Sequence, residues 1–277
     1  MFEVVTREMR LRNYSHKTIK SYLSCLRSFV GYIRPRHPRD MTNENIREFL
    51  LHLIQHRGQS ASTVNQALNA LRFLYVELYK TPMVLGEIPR PKKERKLPSI
   101  LNLGEVRKIF DVPTNPKHKV MLMVAYSAGL RVGELVRLRW EDLNEERKMI
   151  HIHSGKGGKD RFTILSDVIV KMLSDYWHLY QPRNWLFEGL KAGKQYSIRS
   201  AEKVFENTAR AAGITKKVSI HSLRHAFATH LLEQGTDIRY IQELLDHQSV
   251  KTTEIYTHVS RRIVAQLRSP IDDLMKL

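Results

Sequence analysis

Met149-Ile-His-Ile-His-Ser-Gly-Lys-Gly-Gly-Lys-Asp-Arg-Phe-Thr-Ile-Leu165 separates this chain from a plain bundle of helices. Residues 149–153 alternate apolar and polar as a half-buried strand does, and residues 161–165 alternate again. Between them Gly155-Lys-Gly-Gly158 supplies residues that tolerate the tight backbone of a turn, so the stretch predicts a β-hairpin with a glycine-rich tip. On either side the spacing of apolar residues becomes helical. Residues 103–110 and 119–126 precede the hairpin, and helical patterns resume at Val168, interrupted by Pro182 and Gly213. This half of the chain is therefore expected to be mostly α-helical with a small β-sheet.

Further toward the N-terminus the pattern is helical only. Ser15 is a fitting N-cap for a run carrying Tyr22, Leu26, Phe29 or Val30, and Ile33, weakened at Gly31 and stopped by Pro35. Thr42 opens a second run with Ile46, Phe49, Leu50 and Leu53, ending at Gly58. Ser60 or Ser62 opens a third with Val64, Leu68, Leu71, Tyr75 and Leu78. Amphipathic helices joined by short loops predict a small bundle. Next comes Pro89-Arg-Pro-Lys-Lys-Glu-Arg-Lys-Leu-Pro98, whose prolines forbid a regular helix and whose charges extend the chain. The expected organisation is a helical domain over residues 1–85, a basic linker over 86–98, and a second domain over 99–277. Arg90, Lys92, Lys93, Arg95 and Lys96 are candidate contacts to a polyanion; the alternative is a solvated spacer.

The 277 residues carry 46 Lys and Arg against 28 Asp and Glu, a formal charge of +18. The excess falls in both halves rather than in a tail, and a globular chain so basic points to nucleic acid as its partner. Cys25 is the single cysteine, so neither an intrachain disulfide nor a cage of thiolates around a metal is available. That usage fits a reducing compartment. The longest apolar stretch, near residues 120–126, is far too short for a bilayer. A soluble, cytoplasmic protein without a membrane partner is expected.

Four segments carry reactive side chains. Arg131 and Glu134 stand three apart near a helix start, where the acid can hold the guanidinium, although a surface ion pair would look the same. Lys156 sits at the hairpin tip, where it either points into a cleft or simply faces solvent. His221 and Arg224 share one helical face, with His225 one turn beyond His221. Zinc at His221 and His225 is disfavoured by the fixed cation between them and by the lack of an accompanying Glu or Cys. Such histidines are more often packed or surface residues, and His225, His230 and His258 are read that way. His247 and Tyr256 come last, and a tyrosine near a C-terminus is usually packing. Taken together, two arginines, a lysine, two histidines and a tyrosine suit phosphodiester transfer without a metal. The arginines would offset charge on the non-bridging oxygens, the lysine would protonate a departing 5′ oxygen, and a histidine would help deprotonate the phenol.

Ala128-Gly-Leu-Arg-Val-Gly-Glu-Leu135, Gly155-Lys-Gly-Gly-Lys-Asp-Arg161, His221-Ser-Leu-Arg-His-Ala-Phe-Ala-Thr-His-Leu-Leu232 and Leu244-Leu-Asp-His-Gln-Ser-Val-Lys-Thr-Thr-Glu-Ile-Tyr-Thr-His258 resemble, in order, the motifs of the tyrosine recombinases, most closely the Xer branch. The helical N-terminal part resembles that family's core-binding domain, so the likeness spans essentially the whole chain. It implies Tyr256 as the nucleophile that forms a 3′-phosphotyrosyl link, with neither metal nor ATP required. It implies Arg131 and Arg224 as phosphate clamps, Lys156 as general acid with Lys159 its rival, His221 as general base or phosphate ligand, His247 as a further donor, and Glu134 as supporting acid. The partner implied is double-stranded DNA with a specific site, bound by a homotetramer on two sites, with a second recombinase or accessory protein as an option. The apolar residues beyond Tyr256 would then dock on a neighbouring subunit. Asp246 stands where the family commonly has glycine. The ending Arg268-Ser-Pro-Ile-Asp-Asp-Leu274 looks more like integron integrases, yet the span from Arg131 to His221 leaves no room for their extra helical insert. An integron- or phage-type integrase is the alternative subclass. A type IB topoisomerase and a non-catalytic DNA-binding module are the alternatives in kind.

Overall fold

The computed structural model describes residues 1–81, 90–91, 99–153 and 160–246. The chain divides into two compact units, residues 1–96 and 97–277.

The first unit is helical, and its helices begin where polar side chains can take up unpaired amides. Ser15 Oγ accepts from the Thr18 amide at 3.1 Å to open α2 (His16–Ile33). Thr42 caps α3 (Asn43–Gln55) and Ser60, rather than Ser62, caps α4 (Ala61–Arg72). After α4 the helix widens over Phe73–Leu78 and carries Tyr75 inward, where its hydroxyl donates to the Pro38 carbonyl at 2.6 Å. Leu26, Phe29, Ile46, Phe49, Leu68, Leu71 and Leu74 close one apolar core. Two details add to the sequence reading. Gly31 leaves α2 unbroken, because propagation continues through one exposed glycine at a modest cost. A helix α1 (Phe2–Leu11) precedes Ser15, burying Val5 and Met9 one turn apart against the same core.

The second unit is mostly α-helical and carries a small sheet. Residues Leu103–Asp111 (α5), Pro116–Ser127 (α6) and the single turn Val132–Leu135 (α7) lead into β1 (Leu143–Asn144), β2 (Met149–Ile152) and β3 (Arg161–Ile164). The sheet is antiparallel in the order β1, β2, β3, so the hairpin is present and a short third strand joins it. Then follow α8 (Asp167–Tyr180), α9 (Ile198–Ala211), α10 (His221–Glu233) and α11 (Ile238–Leu245). Helix α6 is the central element: Val120, Met121, Leu122, Val124 and Ala125 are all buried, and it packs on α5, α8 and α10. Thr163 Oγ1 donates to the Ala128 carbonyl at 2.8 Å, which fastens the sheet to the end of α6. Among the described residues no helix is long and apolar enough to cross a membrane.

Candidate active site

The site is built where α6 ends. Gly129 takes a left-handed conformation (φ 59°), and a side chain there would stand 2.5 Å from the Phe227 ring. Glycine alone lets the chain turn while pressed against α10. The turn frees the Gly129 carbonyl, which accepts from Arg224 Nη1 at 2.7 Å. Two residues on, Arg131 stands just before α7, and its amide donates to Glu134 Oε2 at 2.9 Å while its Nη1 donates to Glu134 Oε1 at 2.7 Å. The local i, i+3 pair read from the sequence is thus present, and its side chain is 2% exposed at Glu134.

Glu134 serves more than Arg131. Arg161 Nη2 of β3 donates to its Oε2 at 2.7 Å, and Arg224 Nη1 lies 3.8 Å from the same oxygen. Burial pushes the Glu134 carboxyl up, but the Arg161 charge, the Arg131 amide and guanidinium, and Arg224 outweigh it and hold the group below the usual carboxylate range. One buried carboxylate thereby fixes three guanidinium groups from α7, β3 and α10. Arg161 was not assigned a role by sequence reasoning. The strand pattern points the other way: Arg161 and Thr163 face inward and are buried, while the more apolar Phe162 and Ile164 face out.

The arginines also meet the end of α11. Arg131 Nη2 donates to the carbonyls of Leu245 and Asp246, each at 3.2 Å, and Arg224 Nη2 donates to the Leu245 carbonyl as well. Asp246 ends that helix with φ 49°, the left-handed geometry that glycine adopts most readily. Its carboxylate Oδ2 lies 3.5 Å from Arg131 Nη1.

His221 opens α10 one turn before Arg224. Partial burial, then the Arg224 charge, lower its pKa below the ordinary histidine value. Burial with His221 and Arg224 nearby drives His225 down to about 4. Both shifts favour the uncharged ring, the form of His221 that can accept a proton. His230 is buried and shares a 2.8 Å hydrogen bond with the Tyr126 hydroxyl, a packing role.

The fold therefore brings together Arg131, Glu134, His221 and Arg224. Lys156, His247 and Tyr256 lie outside the described residues, as do Lys92, Lys93, Arg95, Lys96 and Lys159. Arg90, in the first unit, is exposed beside a polar groove that includes Ser62, Thr63, Gln66 and Asn69, and Asn65 Nδ2 donates to the neighbouring Pro91 carbonyl at 3.1 Å.

Comparison with known proteins matches residues 99–262 to the phage integrase family and residues 1–84 to the phage integrase N-terminal SAM-like domain. An integrase/recombinase of Escherichia coli is 32% identical, over 97% of this chain and 92% of its own. The tyrosine recombinase XerD of Staphylococcus aureus is 33% identical, over 92% of each chain. Among solved structures, a XerH site-specific recombinase bound to its palindromic difH substrate in a post-cleavage complex matches with a TM-score of 0.76 and 25% identity, covering 91% of this chain and 79% of that one.

Proposed function

This chain belongs to the phage integrase family, whose tyrosine recombinases are DNA strand-transferring enzymes, and from that premise we propose a Xer-like site-specific recombinase acting through Tyr256. The observation that carries this reading is the meeting of Arg131 and Arg224 on the Leu245 carbonyl, with Glu134 behind them and a neutral His221 beside them. Fixed guanidinium groups can stabilise the charge that gathers on the non-bridging oxygens in the transition state, and they need no reorganisation when it forms.

In this reading the Tyr256 hydroxyl attacks the scissile phosphorus. An O–P bond to tyrosine forms as the bond to the 5′ oxygen breaks. His221 takes the phenolic proton, Lys156 gives one to the departing 5′ oxygen, and His247 donates a hydrogen bond to the phosphate. The freed 5′ hydroxyl of a partner duplex then attacks the phosphotyrosine and restores the tyrosine, so the bond energy is kept without ATP. Residues 1–85 would act as the core-binding domain, residues 86–98 as the linker with Arg90, Lys92, Lys93, Arg95 and Lys96 toward the backbone, and 99–277 as the catalytic domain. Four subunits on two DNA sites complete the assembly, within the cytoplasm. The Xer-like branch is supported by the short span from Arg131 to His221, which leaves no room for the extra helical insert of integron integrases.

The test is a nicked suicide substrate prepared from DNA fragments selected for binding, incubated with the protein in EDTA without ATP. A covalent protein–DNA band on a denaturing gel is expected for the wild type and absent for Tyr256→Phe, which still binds DNA. A wild type that binds but yields no adduct would overturn the proposal.

A further inference from the structure

We propose that His151, His153 and Asp160 bind a zinc-class divalent cation at the end of the hairpin where Ile152 pairs with Arg161, with Asp142 orienting His153 from behind. The pairing of β2 with β3 sets His151 opposite Phe162 and Ile152 opposite Arg161, so the next step outward sets His153 against Asp160. Alternate residues of a strand share a face. Both histidines and Asp160 therefore project to one side, while Arg161 turns to the other side and reaches Glu134. One ligand atom of each of the three lies within 4.8 Å of the others.

Two of the ligand-to-ligand distances match those around a tetrahedral ion. Asp160 Oδ2 is 3.3 Å from His151 Nε2 and 3.5 Å from His153 Nδ1. Nitrogen and oxygen ligands about 2.0–2.1 Å from a tetrahedral ion stand roughly 3.3–3.4 Å from one another. Two imidazoles and a carboxylate form a set that suits zinc, and water can fill the fourth position. It can enter through a cleft of about 430 Å³ whose wall includes His151, His153 and Asp142.

Asp142 is the independent observation. Its side chain is only 3% exposed, and its Oδ2 accepts from the Arg139 amide at 2.7 Å. Its buried Oδ1 accepts no well-aligned hydrogen bond among the described residues, yet lies 2.9 Å from His153 Nε2. A carboxylate behind a ligating histidine fixes the tautomer, placing the proton on the nitrogen it faces and leaving the other nitrogen to the metal. Here that leaves Nδ1, the atom nearer Asp160, and it gives the Asp142 oxygen its missing partner. Arg139, the nearby cation, is already paired with Glu141 at 2.9 Å. A bound ion would tie together the two ends of the segment 154–159. The inference rests on these four side chains and not on the recombinase reading.

The experiment uses the full chain, stripped with EDTA and dialysed. Zn²⁺ is titrated by calorimetry, and Co²⁺ is followed by the visible absorption of a tetrahedral ion. One equivalent bound with a dissociation constant below about 100 µM is expected. It should be lost in His153→Gln and in Asp160→Asn, both surface changes whose folding is checked by circular dichroism. Asp142→Asn should weaken it by about 10- to 100-fold. Absence of such binding, or binding that survives in His153→Gln and Asp160→Asn, would overturn the assignment.

Discussion

Arg131 and Arg224 donate to the same carbonyl oxygen, that of Leu245, although one stands at the start of α7 and the other in the first turns of α10. Two buried or half-buried cations meet there only because Glu134 lies against both, with Arg161 as a third. Removing the carboxylate leaves these charges uncompensated. Glu134→Gln, which keeps the shape, is expected to destabilise the second unit by about 3–5 kcal/mol, read as a lower urea midpoint. The pH dependence has a defined sign. The folded pKa of Glu134 is depressed, so its contribution is present above its unfolded value near 4.5 and is lost as pH falls through the lower folded value. A midpoint unchanged by the substitution would show that the arginines are held by other groups.

Arg224 donates from separate nitrogens to Gly129 and Leu245. A lysine has a single ammonium and cannot reproduce that fork. Under the proposed function, Arg224→Ala lowers single-turnover cleavage by roughly a hundred- to a thousandfold, the usual effect of losing one preorganised donor. Arg224→Lys should recover little of it. Near-normal cleavage in either variant would remove Arg224 from the phosphate.

Gly129 combines a left-handed backbone with a contact to Phe227 that no Cβ can share. Gly129→Ala is therefore expected to cost about 2–4 kcal/mol, part from the backbone and part from overpacking. It should also disturb the carbonyl that holds Arg224. Denaturation and cleavage measured on the same preparation check both effects. A stable variant would mean that α10 moves aside freely.

His225 is held neutral by burial and by His221 and Arg224, with a pKa near 4. The unfolded chain, where a histidine titrates near 6.5, takes up the proton first. Stability is thus expected to fall as pH drops from about 6.5 toward 4, below which this loss is complete. His225→Gln should flatten that part of the urea-midpoint profile. A profile of the same slope would assign the acid sensitivity to other groups.

These features differ in how far they could be read from residues alone. Ser15, Thr42 and Ser60 announce their helices because a polar cap precedes an apolar period, whereas α1 begins after Met1, whose side chain offers no cap, and buries only Val5 and Met9 of its apolar residues. The strand β1 is two residues long, too short for alternation to register. Arg131, Glu134 and Arg224 were legible through local spacing and motif. The inward turn of Arg161 was not, because alternation favours Phe162 and Ile164 as the buried face. The fold inverts that preference to deliver a guanidinium to Glu134, and such a break of pattern marks a site rather than a core.

Asp246 offers the last prediction. The position is left-handed, which costs an ordinary residue about 1 kcal/mol or more, although aspartate bears it better than most. Its Oδ2 is buried without a hydrogen bond among the described residues, and it stands 3.5 Å from Arg131 Nη1. A carboxylate so placed competes with a phosphate for the same guanidinium. Asp246→Asn keeps the backbone tolerance and removes the charge, while Asp246→Gly removes both charge and strain. Both variants are therefore expected to form the covalent DNA complex several-fold faster than the wild type, with Asp246→Gly also the more stable of the two. If the carboxylate instead steers Arg131, both are slower. The ordering of the three rates in a single-turnover assay therefore decides whether aspartate at this helix end restrains the site or aims it.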